Sequence, residues 1–390
     1  MANTIMSTYS PLPVTFERGE GVYLWDSNNK QYLDAISGIA VCSLGHARRE
    51  VADAICDQAG KLVHTSNLYQ IDLQQKLADK LCEISGMDEV FFSNSGTEAN
   101  EAAIKLSRLY ASKNNITNPE IVVTEGSFHG RTLAALSATG NAKIQQGFAP
   151  LVSGFIRVPY NDVGAIKALV DTNPNIVAVM VEPIQGEGGV NIPAEDYLTE
   201  ISRLCDQQNW LFMLDEIQTG MSRTGEWFAF QHESIKPDVM TLAKALGNGM
   251  PIGACLASGR AKGVFTAGTH GSTFGGNPLA CSAALAVIDV MQSHELVKQA
   301  ARMGRYLLDG FAGQLTISGV VNIRGKGLMI GIELEKECTE LVGQALEQGM
   351  LINVTAGNVV RLLPPLILTD AQADDLIKTV TSLVKQFLSK

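Results

Sequence analysis

Four polar features stand directly behind short apolar runs: Ser95-Gly96-Thr97 after EVFFSN, Glu182 after IVAVMV, Asp215 after LFML, and Lys244 after VMTLA. Each has an ordinary structural role open to it. The 95–97 turn can be a helix N-cap with Glu98 in the first turn. Asp215 and Glu182 can belong to salt bridges, and Lys244 can extend its ammonium from a strand end to water. Shared placement on one edge would give them a different chemistry. Burial disfavours a lysine's charge and frees its amine as a nucleophile towards carbonyls. A buried carboxylate requires a cationic partner. Exposed backbone N–H groups at a helix start, helped by Ser and Thr hydroxyls, cradle an anion. A phosphate, a protonated ring nitrogen and an aldehyde are the three handles of pyridoxal phosphate (PLP), and the cradle, Asp215 and Lys244 answer them one for one.

That convergence requires the apolar runs to be strands of one sheet. Residues 89–93, 120–124, 176–182, 211–215 and 239–242 are short and rich in β-formers. Helix-period segments separate several of them, with Ala99, Ala102, Ala103, Leu106 and Tyr110 on one stripe of 98–112 and a similar pattern over 194–208. Buried strands alternating with helices predict an α/β core with a mostly parallel sheet, whose ligands sit outside the carboxyl ends of the strands. Beyond residue 280 the texture changes to one long alanine-rich helix over 281–313, strands at 319–323, 328–334 and 359–363, and a closing amphipathic helix from Asp370. The expected organisation is an N-terminal segment 1–50 joining a small domain, a large α/β domain 51–280, and a small α+β domain 281–390.

The 390 residues are 46% hydrophobic and 18% charged, a globular composition with room for a large core. A net charge of -10 without a basic stripe argues against a nucleic-acid partner. No apolar stretch approaches the roughly 20 residues needed to span a bilayer. The first residues show neither a secretory nor a transit pattern, so the expected location is the cytoplasm. Seven scattered cysteines, never spaced as CxxC, point to a reduced compartment and no metal site. Gly247, Gly249 and Gly253 miss the GxGxxG spacing by one, and the 325–327 GKG lacks P-loop spacing and a following Ser or Thr. GxSxG and HExxH are absent, so a dehydrogenase, an NTPase, a serine hydrolase and a zinc enzyme lose their main support.

SNSGTEANEAAIKLSR (93–108), SFHGRT (127–132), LDEIQTGMSRTG (214–225), TLAKALGNGMPIGA (241–254) and HGSTFGGNPLA (270–280) resemble the class-III, ornithine-type PLP aminotransferases of fold type I. The similarity runs from residue 15 to the C-terminus, with the motifs in order. It implies that Lys244 binds the PLP aldehyde and later shuttles the proton, while Asp215 keeps the pyridine nitrogen protonated. Ser95, Gly96 and Thr97 would hold the phosphate, with Thr273 reaching in from the partner subunit of a homodimer that shares its active sites. Phe128 would stack on one ring face, Ile217 pack on the other, and Gln218 bond the ring's 3-oxygen.

The substrates implied are an N-acylated ornithine, glutamate and 2-oxoglutarate, in a ping-pong transamination, with succinylornithine and N-succinyl-diaminopimelate as further donors for the same pocket. Arg131 would take the α-carboxylate of the acylated ornithine, and Arg361 that of glutamate and 2-oxoglutarate. Glu182 would pair with Arg361 and release it when glutamate binds, and Ser272 would lie beside the substrate. Ile39 stands where ornithine-using members carry a tyrosine, and an apolar residue suits an acyl-bearing substrate. Members acting on 4-aminobutyrate or other ω-amino acids share that feature and are the alternative. Cys42 and Ser43 stand where an asparagine is expected. His46 and His129 can stand at the pocket rim, but as lone histidines they are more often structural. A PLP-binding module without turnover would lack Lys244, Asp215 or an arginine, and all are present.

Overall fold

A computed structural model describes residues 4–390 of the chain. The apolar runs assemble as one seven-stranded sheet, in the order Glu89–Ser93, Gly253–Ala257, Val239–Leu242, Leu211–Asp215, Ile176–Val181, Glu120–Thr124 and Phe155–Val158. Ile176–Val181 and Leu211–Asp215 are buried at every position, as strands covered on both faces require. Four neighbouring pairs are parallel, and Gly253–Ala257 runs antiparallel to the strand on each side of it. The sheet is therefore mostly parallel. Because Glu89–Ser93 opposes a strand that itself opposes the rest, its carboxyl end lies on the same edge as theirs.

Two strands escape the sequence pattern. GACLA over 253–257 consists of small residues without β-branching, and the edge strand FIRV over 155–158 is short and carries Arg157. The helix Gly96–Lys113 starts at Ser95, whose side chain accepts from the Glu98 N–H at 3.3 Å. It lays Ala99, Ala102, Ala103 and Leu106 against the sheet.

The expected single helix over 281–313 is two helices, Pro278–Ser293 and Leu296–Gln314. The first begins earlier because Asn277 caps it, accepting from the Ala280 N–H at 2.9 Å with Pro278 in the first turn. The chain breaks at His294-Glu295, where Glu295 adopts a left-handed φ of 49°. An apolar stripe continues on both sides of such a break, so periodicity alone merges the two.

Val320–Lys326, Met329–Leu334, Val359–Leu362 and Asn353–Thr355 form a four-stranded antiparallel sheet, packed against Leu296–Gln314. Asp370–Leu388, started by a Thr369 capping box, packs in turn on that helix. A third sheet joins Phe16–Glu20, Tyr23–Asp26 and Gln31–Asp34 to Met350–Leu351, the last pair parallel. No described helix is long and apolar enough to cross a membrane.

Candidate active site

The carboxyl edge of the large sheet opens into a cavity of about 370 Å³. Ser95, Gly96, Thr97, Phe128, Arg131, Glu182, Asp215, Ile217, Gln218 and Lys244 all line it, together with Glu187 and His129. Strand ends that lie far apart in sequence thus deliver the expected side chains to one place.

Asp215 ends its strand with 3% exposure and is held from three sides. Its Oδ2 accepts from Asn100 Nδ2 at 2.8 Å and lies 2.8 Å from His129 Nδ1, while Oδ1 accepts from the Ile217 N–H at 3.1 Å. An acceptor-only carboxylate places the His129 proton on Nδ1. Burial works against the imidazolium, but Asp215's hydrogen bond and charge outweigh it and raise the His129 pKa. Asn100 is fixed in turn, donating to the His129 carbonyl at 2.7 Å and accepting from the Thr241 hydroxyl at 2.8 Å. His129 is therefore part of the site's wall, although as a lone histidine it was weighed as structural. Asn100, one helical turn beyond Gly96, was legible only once that helix faced Asp215.

Lys244 follows the 239–242 strand in a short 3-10 turn with a left-handed φ of 45°. Its ammonium makes no hydrogen bond or ion pair among the described residues. Burial lowers its pKa first, with Arg361 adding to the effect and Glu187, Asp215 and Glu182 opposing it. The loop beyond Lys244 is tied down by Asn248, which accepts from the Leu44 N–H at 2.8 Å and donates to the Gly45 carbonyl at 3.2 Å. Gly247 is required there, since a Cβ would sit 2.0 Å from the Met250 carbonyl oxygen.

The pairing expected between Glu182 and Arg361 is not present, and Glu187 takes that place. Arg361, only 1% exposed, donates from Nη1 to Glu187 Oε1 at 2.6 Å and to Gln218 Oε1 at 3.4 Å, and from Nη2 to Asn353 Oδ1 at 2.8 Å. Glu182 is committed elsewhere. It accepts from the Phe128 N–H at 3.0 Å and the Gly186 N–H at 3.3 Å. Burial drives its pKa up to about 7, with His129 opposing and Asp215 adding. VEPIQGEGGV carries both glutamates, and only the path of its loop decides which one meets the arginine.

Arg131 lies exposed at the mouth, its guanidinium 5.6 Å from the Phe128 ring centroid. Val41, Met250, Pro251 and Ile252 add an apolar wall. Ser272 and Thr273 do not reach this cavity. They line a separate cleft with Phe91, His270 and the exposed Phe274. Ile39 is also absent from the lining; it sits 38% exposed in a run, Ser37 to Ala40, whose φ values are all left-handed. His46 is structural, its Nε2 lying 2.8 Å from Asp34 Oδ2.

The residues present fit PLP. Gly96 leaves a slot at the helix start that a Cβ would close, since it would sit 2.8 Å from Ile217 Cδ1. Phe128 and Ile217 offer surfaces for a flat ring, Asp215 a fixed acceptor, and Lys244 an amine without a partner among the described residues.

The sequence matches the class-III aminotransferase family over residues 4–384. It is 53% identical to the acetylornithine aminotransferase of Nitrosomonas europaea over 385 residues, covering 98% of each chain. The structure is similar to an acetylornithine aminotransferase from Elizabethkingia anophelis, with a TM-score of 0.87, 36% identity and 97% and 96% of the two chains covered. It is also similar to the ornithine aminotransferase of Toxoplasma gondii, whose active site holds PLP at partial occupancy. There the TM-score is 0.95 at 34% identity, with 99% and 94% covered.

Proposed function

The chain belongs to the class-III aminotransferases, and on that premise we propose that it is an N2-acetylornithine:2-oxoglutarate aminotransferase serving arginine biosynthesis. It is a PLP-dependent enzyme. The observation that carries the substrate assignment is one arginine on the cavity and a second buried behind its wall. Arg131 stands at the mouth, and Arg361 is paired with Glu187 and bonded to Gln218, both of which line the cavity.

When bound, PLP supplies an aldehyde that takes amines covalently and a ring that withdraws electrons from the neighbouring carbon. The backbone N–H groups at 95–97 would hold its phosphate, and Phe128 and Ile217 would flank its ring. Asp215, fixed by Asn100 and His129, would hold a proton on the ring nitrogen. Lys244 would meet the aldehyde, and its amine, freed when substrate binds, would carry the proton that the transamination moves. Glu187 keeps Arg361 occupied when the donor presents a terminal amine, and yields it when glutamate brings an α-carboxylate. Arg131 takes the carboxylate at the far end of the acylated ornithine.

We further infer a homodimer, because Thr273 and Phe274 stand exposed and outside the chain's own cavity, where they can complete a neighbour's site. Seven unpaired cysteines suit a cytoplasmic enzyme. The test is kcat/KM for acetylornithine, ornithine and 4-aminobutyrate with 2-oxoglutarate. Acetylornithine leading is expected, and a clear preference for 4-aminobutyrate would assign the enzyme to ω-amino acid metabolism instead.

A further inference from the structure

Behind the 95–97 turn lies a chain of hydroxyls that none of the roles above uses. Thr97 Oγ1 is 2.8 Å from Thr132 Oγ1, which is 2.5 Å from Glu101 Oε1. The same Glu101 oxygen accepts from the Ala134 and Ala135 N–H groups, each at 3.2 Å. Thr97 Oγ1 also accepts from the Arg131 and Thr132 N–H groups, each at 3.3 Å.

Counting protons fixes the direction of every bond. The carboxylate can only accept, so Thr132 donates to Glu101 and its single proton is spent. The Thr97–Thr132 bond is then donated by Thr97, whose proton is spent as well. Its lone pairs are left for the two backbone N–H groups of the Arg131 loop. The Thr97 hydroxyl has no proton left to offer a phosphate.

Placement in the fold agrees. Thr97 and Glu101 lie four residues apart on the helix Gly96–Lys113, hence on one face. The loop reaches them because Gly130 has a φ of 137° and no side chain, where a Cβ would sit 2.2 Å from Thr97 Oγ1. Arg131 itself makes no ion pair among the described residues, so the backbone of its loop sets where the guanidinium stands.

We propose that Glu101 is a positioning residue for Arg131: through the hydroxyls of Thr132 and Thr97 it fastens the loop that carries Arg131 onto the phosphate-cradling turn, and Thr97 serves that cradle through its backbone N–H alone. This rests on Arg131 being the arginine for the acylated donor.

The experiment compares Glu101→Ala, Thr132→Val and Thr97→Val with the conservative Glu101→Gln and Thr97→Ser. The KM for acetylornithine, the KM for glutamate and the PLP affinity of the apoenzyme are measured for each. One lost charge-assisted hydrogen bond corresponds to roughly tenfold. The first three variants are expected to raise the acetylornithine KM by about that factor, with glutamate KM and PLP affinity moving less than about threefold. Gln and Ser, which keep an accepting oxygen and a hydroxyl, restore most of the loss. A drop in PLP affinity beyond about tenfold in Thr97→Val overturns the proposal by making the hydroxyl a phosphate ligand. Equal losses with both donors, or no change in either, overturn it too. A wild-type enzyme inert towards acetylornithine refutes the proposed function instead, so the two failures are distinguishable.

Discussion

Lys244 and Arg361 are the two cations that face the cavity's carboxylates, and their surroundings differ in kind. Arg361 is bonded to Glu187, Gln218 and Asn353 through both terminal nitrogens, whereas Lys244 has no partner among the described residues and a pKa lowered first by burial. One is held in reserve and the other is kept reactive. Replacing Lys244 by Ala should cost at least about 10⁴-fold in turnover, the scale for removing a nucleophile, with thermal unfolding little changed. Retained activity would refute its role. Removing the Glu187 carboxylate with Glu187→Gln leaves Arg361 without its carboxylate partner in both half-reactions. Specificity, as the ratio of kcat/KM for glutamate over acetylornithine, should then rise by about tenfold or more. The same change at Glu182 should leave that ratio unmoved, because Glu182 touches Phe128 and Gly186 rather than an arginine.

At the scale of elements, the site depends on how loops are pinned behind the strand ends. His46 illustrates this. It closes the end of the 37–46 segment by binding Asp34, with side-chain exposures of 16% and 2%. Burial alone would lower its pKa, but the hydrogen bonds with Asp34 and Cys42 outweigh it and raise it to about 9. A folded-state pKa above the unfolded value of about 6.5 means stability that is fully present below that value. It is lost as pH rises towards 9. Denaturant unfolding across pH 6 to 10 should show this loss, at most about 3 kcal/mol, and His46→Gln should flatten that part of the profile. The helix break at 294–295 is a second case. Two helices meeting at a left-handed Glu295 turn the chain between sheets, and no Gly or Pro marks the place.

For the whole molecule, the cleft that holds Ser272, Thr273 and Phe274 adjoins the cavity through Asn94, which lines both, and leaves Thr273 turned away from its own site. Phe274, 60% exposed beside the Ser272–Thr273 turn, suits contact with a second copy. Phe274→Asp should shift the mass measured by light scattering towards a monomer and lower activity with it; an unchanged mass would remove Phe274 from the interface. The strands ending in Ser93, Asp215 and Lys244's neighbour Leu242 were legible in the sequence, since a buried strand is an uninterrupted apolar run and its first polar residue marks its end. The small-residue strand 253–257 was not, because its burial comes from its neighbours and not from its own side chains. The same distinction separates Asp215 and Lys244 from Glu187, Asn100 and His129. By itself the sequence determined which residue types arrive at the sheet's edge, a property of each run and its terminus. Only the tertiary structure decided that Glu187 and not Glu182 meets Arg361 across 174 residues of chain, since that depends on how a loop from one sheet lies against a strand of another.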